Sequence, residues 1–157
     1  MAQGSTKGIP IDTDNTLSAN SNLLVPSQNA VKTYADTKVT QNTWVDYSAT
    51  STIVGWSSFT VKNIRYYVVG KIVTVFYQLN GTSNSTTTTF TLPFANANNN
   101  VFYPNAYTNN GVSGVATGRT RILSGDSFAT MAIDWSNTAF SASGTKTAAG
   151  TIIYEIA

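Results

Sequence analysis

The chain has 157 residues, 41% of them apolar and only 10% charged, with a formal net charge of +2 and no cysteine or histidine. A typical soluble domain carries roughly 25% charge, yet three Trp, eight Tyr and seven Phe argue against a disordered chain, so a folded body with a polar, nearly uncharged surface is expected. Disulfide frameworks, thiolate chemistry, Cys/His zinc sites and His-based triads are excluded by composition; the scattered Lys and Arg give no basic face for nucleic acid, and no apolar run approaches the ~20 residues of a membrane span.

Residues 1–24 have no periodic apolar pattern and read as an extended or irregular connector. Their start lacks the basic-then-apolar layout of a signal peptide. Residues 27–39 are the one helix the spacing predicts. Ser27 is placed to cap it, and Val31, Tyr34, Ala35 and Lys38 share a face at i, i+3, i+4, i+7. So short a helix needs a partner. The stripe can pack on the domain that follows or on two further copies of itself in a short trimeric bundle.

From about residue 43 the pattern turns to β. Residues 63–69 and 71–79 flank Gly70 and read as a hairpin. Val73, Val75, Tyr77 and Leu79 fall on one face; Ile72, Thr74, Phe76 and Gln78 fall on the other. Both faces carry apolar residues, which in a trimer means core on one side and subunit contact on the other. Asn80-Gly81 is expected to turn the chain. Thr86–Leu92, residues 112–123, residues 126–135 and Thr151–Ile156 are further strands, with Ser124-Gly125-Asp126 as a turn. Short strands separated by turn signals predict a mainly β fold, an antiparallel β-sandwich of jelly-roll-like type. The expected division is a connector with the helix over 1–42 and the sandwich over 43–157.

Residues 93–111 read as one long loop. Seven of its nineteen residues are Asn, with Phe94, Phe102, Tyr103 and Tyr107 interspersed. Asn amides offer donors and acceptors to sugar hydroxyls, and aromatic rings stack on the C–H face of a sugar. Asn98, Asn100, Tyr103, Asn105, Tyr107 and Asn109 are therefore the candidate ligand-binding residues. The other reading has Phe94, Phe102 and Tyr103 anchoring the loop on the core while the Asn residues satisfy its turns.

Catalysis finds little to stand on. A glycosidase needs two carboxylates held about 5–10 Å apart, and the β region offers only Asp46, Asp126, Asp134 and Glu155. Asp126 fits a turn, whereas Asp134 and Glu155 can pair with Arg119, Arg121 or Lys146. Asp12-Thr13-Asp14-Asn15 lacks the glycine and distant Glu of a calcium loop, so no metal or other cofactor is expected. Trp56 and Trp135 are expected in the core, and Trp44 at the junction of helix and β region.

Gly8-Ile9-Pro10-Ile11-Asp12, Leu17-Ser18-Ala19-Asn20-Ser21 and Leu24-Val25-Pro26-Ser27-Gln28-Asn29-Ala30-Val31-Lys32-Thr33-Tyr34 resemble a segment that recurs in bacteriophage tail fibres, next to a C-terminal receptor-binding tip. Ser143–Tyr154 is similar to the last strand of many such tips. The resemblance implies a non-enzymatic homotrimer at the virion surface, outside the cell. It would bind a polysaccharide or other glycan receptor on the bacterial host and contact other tail proteins through its N-terminal end. No nucleic acid or membrane insertion is implied. A structural or assembly part of the tail is the alternative reading. A complete fibre is usually longer, so the chain is expected to be a fragment, a short fibre or an accessory tip.

Overall fold

The computed structural model describes residues 11–14, 16, 25–38, 43–97, 99–111 and 117–156. The chain divides into two compact units, Met1–Gln41 and Asn42–Ala157.

In the first unit, β1 (Ile11–Asp12) pairs in parallel with β2 (Val25–Pro26), and α1 spans Gln28–Lys38. Ser27 caps α1: its Oγ accepts from Ala30 N at 3.0 Å and its carbonyl from Val31 N at 3.0 Å. Ala30 is buried, while Val31 and Tyr34 of the expected stripe are exposed in the single chain. Asp14 closes a local turn by accepting from Thr16 N at 2.9 Å. The first stretch of the tail-fibre-like segment lies largely outside the described residues, and the second wholly.

The second unit holds two sheets packed on one core. The strands are β3 (Val45–Asp46), β4 (Ile53–Val54), β5 (Trp56–Val69), β6 (Ile72–Ser83), β7 (Thr89–Thr91), β8 (Val101–Pro104), β9 (Tyr107–Asn109), β10 (Arg119–Ile122), β11 (Phe128–Ala132) and β12 (Thr145–Glu155). The larger sheet runs β3-β5-β6-β12-β9 and the smaller β4-β7-β11-β10-β8; every pair in both is antiparallel. The fold is mainly β and sandwich-like, as the strand patterns imply.

The core comes from period-two alternation on both sheets. The larger sheet contributes Ile64, Val73, Val75, Tyr77, Leu79, Ala148, Ile152 and Tyr154. The smaller contributes Phe90, Ile122, Ala129 and Met131, and Phe140 joins from the segment before β12. Trp56 is in the core as expected, and its Nε1–H donates to the Lys146 carbonyl at 3.2 Å. Trp135 is a correction. It lies beyond the end of β11 and is 50% exposed.

The hairpin around Gly70 forms as expected but is much longer. Val69 pairs with Ile72 across a two-residue turn in which Gly70 takes φ +59°. Asn80-Gly81 does not turn. Both residues stay in β6, because Gly81 lies against the bulged part of β5, where a Cβ would meet the Ser58 carbonyl at 1.9 Å. Thr86–Leu92 shortens to β7 and 126–135 to β11. Of 112–123, residues 112–116 lie outside the described residues and Arg119–Ile122 form β10. The turn at 124–126 is present, with Asp126 N donating to the Leu123 carbonyl at 3.0 Å.

Candidate functional site

The 93–111 segment is not one loop; it contains β8 and β9. These strands lie on different sheets, so the expected site residues are dispersed. Asn98 lies outside the described residues. Asn100 is exposed, and its Oδ1 accepts from Ser124 N at 2.8 Å. Tyr103 packs against the core, with its hydroxyl donating to the Ile153 carbonyl at 2.8 Å. Asn105 is buried, and its amide is spent inside the protein. Its Oδ1 lies 2.7 Å from both Tyr77 Oη and Thr120 Oγ1, and its Nδ2 donates to Thr108 Oγ1 at 3.0 Å. Tyr107 is exposed on the outer face of the larger sheet. Asn109 shares that face, where its Oδ1 accepts from Gly111 N at 2.9 Å.

Cross-strand register then defines what Tyr107 and Asn109 stand beside. Tyr107 is opposite Ala149, which is opposite Gln78, which is opposite Asn63. Asn109 continues through Thr147 and Asn80 to Val61. Directly paired residues share a face, and neighbouring strands are about 4.8 Å apart. The two rows therefore make a shallow strip: an exposed tyrosine at one edge, the small Ala149 beside it, and the amides of Gln78, Asn63 and Asn80 beyond. Such a strip can stack a sugar ring and bond its hydroxyls.

Nearer the Gly70 turn the same face changes character. Its rows there are Arg65–Phe76–Thr151, Tyr67–Thr74–Ile153 and Val69–Ile72–Glu155. Val69, Ile72 and Ile153 are exposed. Trp44 meets Tyr67 edge-on at 4.7 Å between centroids, and the Arg65 guanidinium lies 5.5 Å from the Trp44 ring and 5.1 Å from the Phe76 ring. Trp44 thus belongs to this face, 45% exposed. These apolar side chains share the face with the exposed charges of Arg65 and Glu155.

No carboxylate stands in the two amide rows; Glu155 and, opposite Arg65, Asp46 lie on the same face nearer the Gly70 turn. Asp46 and Asp134 are held below the usual carboxylate range by hydrogen bonds from Ser48 and Thr138 respectively. Neither Asp134 nor Glu155 forms an ion pair with Arg119, Arg121 or Lys146; the one ion pair among the described residues joins Lys32 and Asp36. Lys146 instead lies buried, its Nζ donating to the carbonyls of Gly55 at 3.0 Å and Ser85 at 2.7 Å and to Thr88 Oγ1 at 2.9 Å. The rings of Trp56 and Phe140 flank it at 5.0 and 5.1 Å. Among the described residues no three His, Cys, Asp or Glu converge as metal ligands, and no helix is long and apolar enough to cross a membrane.

Comparison with protein-family models gives no match, and comparison with curated proteins gives none either.

The Gln78 position was legible from the alternation of 72–80, and Asn63 follows from the Gly70 turn, since pairing Val69 with Ile72 sets Asn63 opposite Gln78. The neighbours Ala149 and Thr147 come from a strand far along the chain, and no local pattern announces that pairing.

Proposed function

We propose that the chain is the tip of a bacteriophage tail fibre, a jelly-roll-like homotrimer that attaches the virion to its bacterial host by binding a surface glycan. The observation that carries this reading is the divided outer face of the larger sheet. Its apolar half, with Trp44, Tyr67, Phe76, Ile72 and Ile153, suits contact with further copies of the chain. Its amide half, with Tyr107, Gln78, Asn63 and Asn80, suits a neutral sugar surface. The resemblance of residues 8–34 to tail-fibre segments supports the same reading and adds contact with other tail proteins through the N-terminal end. Three copies of one weak site raise effective affinity by about 10²–10⁴, which fits a shallow strip rather than a deep pocket.

The alternative, a structural or assembly part of the tail, keeps the apolar half for subunit contact and gives the amide half no ligand. Fluorescently labelled chain added to a panel of bacterial strains and to arrayed bacterial polysaccharides separates the two. Attachment that weakens at least about tenfold in Tyr107→Ala and Gln78→Ala, with the fold intact, supports the tip; in a trimer, truncation effects multiply over three sites. Attachment to no strain and no polysaccharide supports the assembly reading.

A further inference from the structure

The outer face of the smaller sheet carries a second group of side chains that the attachment reading does not use. Arg119 and Arg121 lie two residues apart on β10 and share that face, about 7 Å from each other along the strand. Arg121 is opposite Phe102 on β8 and Thr130 on β11; Thr130 is opposite Thr89 on β7. The Arg119 guanidinium lies 5.4 Å from the Phe102 ring, and Phe102 is itself 44% exposed.

Neither arginine makes an ion pair among the described residues. Asp134 feels Arg119 electrostatically, but its carboxylate is engaged by Thr138. The Nε of each arginine is shielded from water and has no hydrogen-bond partner. Two partly desolvated guanidiniums side by side repel each other and leave donors unsatisfied, which costs free energy. The Nε atoms are closed to a ligand oxygen as they are to water, so what this part-exposed face offers outward is two like charges without a counter-charge.

We propose that this face binds the oxyanion of an acidic saccharide, with Arg119 and Arg121 holding the carboxylate or phosphodiester oxygens and Phe102 stacking on the adjoining sugar ring. Guanidinium matches the planar, two-oxygen edge of such groups better than ammonium does. The Thr89 and Thr130 hydroxyls extend the row for neutral parts of the chain. The site is on the opposite sheet from the amide strip, and its chemistry does not depend on the trimer.

The test uses the full chain with three probes: polygalacturonate for a carboxylate, a glycerol-phosphate polymer for a phosphodiester, and dextran as the neutral control. Binding to at least one polyanion and none to dextran is expected, weakening with salt. Arg119→Gln and Arg121→Gln should each reduce it at least about tenfold, and the arginine Nε–Hε resonances of the unaltered chain should shift during the same titration. Arg→Lys variants, which keep the charge, should fall between; a loss with Gln and none with Lys would leave charge alone as the explanation and overturn the bidentate role. Binding to neither polyanion, resonances that do not move, or tighter binding to a single-stranded oligonucleotide would overturn the proposal. Failure here alongside strain attachment through the amide strip leaves the tip reading standing, whereas polyanion binding without strain attachment leaves this site standing without that reading.

Discussion

Tyr77 Oη and Thr120 Oγ1 lie 2.6 Å apart in the middle of the sandwich, one from each sheet, and both reach Asn105 Oδ1 at 2.7 Å. Two hydroxyl protons serve three contacts in this triangle, so every member depends on the others. Burial pushes the Tyr77 phenol well above its ordinary range. Tyr77→Phe removes one donor and leaves the buried Asn105 and Thr120 under-satisfied. It should cost about 1–3 kcal/mol, read as a lower urea midpoint with an unchanged slope.

Lys146 sets the alkaline behaviour. Burial lowers its ammonium from 10.5 to about 8. Between those values the unfolded chain binds a proton that the folded chain has lost, so stability rises with pH across that window. Tyr77 and Tyr154 act the other way. Burial raises both from 10.0, so the stability they contribute is complete below pH 10 and is lost as pH rises above it. Urea midpoints should therefore climb from pH 8 to pH 10 and fall beyond it, and Lys146→Met should flatten the climb. A midpoint falling steadily from pH 7 would rule out a buried, partly desolvated ammonium.

Gly81 tests the bulged pairing of β5 and β6. A methyl group there would meet backbone, the Ser58 carbonyl at 1.9 Å, so one strand must move. Gly81→Ala should destabilise by about 1–3 kcal/mol or more, whereas Gly70→Ala meets no neighbour within 4 Å and is strained only by its φ of +59°. A smaller loss at Gly81 than at Gly70, by thermal unfolding, would contradict the close packing.

Local pattern reached as far as local cause did. The Ser27 cap, the Gly70 hairpin and the alternation of Val73, Val75, Tyr77 and Leu79 depend on neighbours in sequence, and each was readable. Asn80-Gly81 has turn chemistry but lies where two strands approach too closely for a side chain, a constraint set by Ser58. Asn105 resembles a loop amide until Tyr77 and Thr120 enclose it. Arg119 and Arg121 read as ion-pair partners for Asp134 or Glu155, a pairing the fold does not make. The dispersal of the 93–111 residues has the same origin: β8 and β9 join different sheets, and their partners β10 and β12 are distant in sequence.

The apolar half of the larger sheet's outer face is the expected subunit contact. Ile153→Asp puts a charge beside Thr74 and Tyr67 without touching the core. The variant should keep its β circular dichroism and sediment as a smaller species. A variant that sediments like the unaltered chain would move the subunit contact elsewhere.

Light scattering of the full chain, with a chain beginning at Thr43 beside it, tests the fibre-tip account most directly. A homotrimeric tip has a mass near three times 16.7 kDa for the full chain, and the shorter chain is a trimer too if the sheet face holds the subunits. A monomer at micromolar concentration would contradict it.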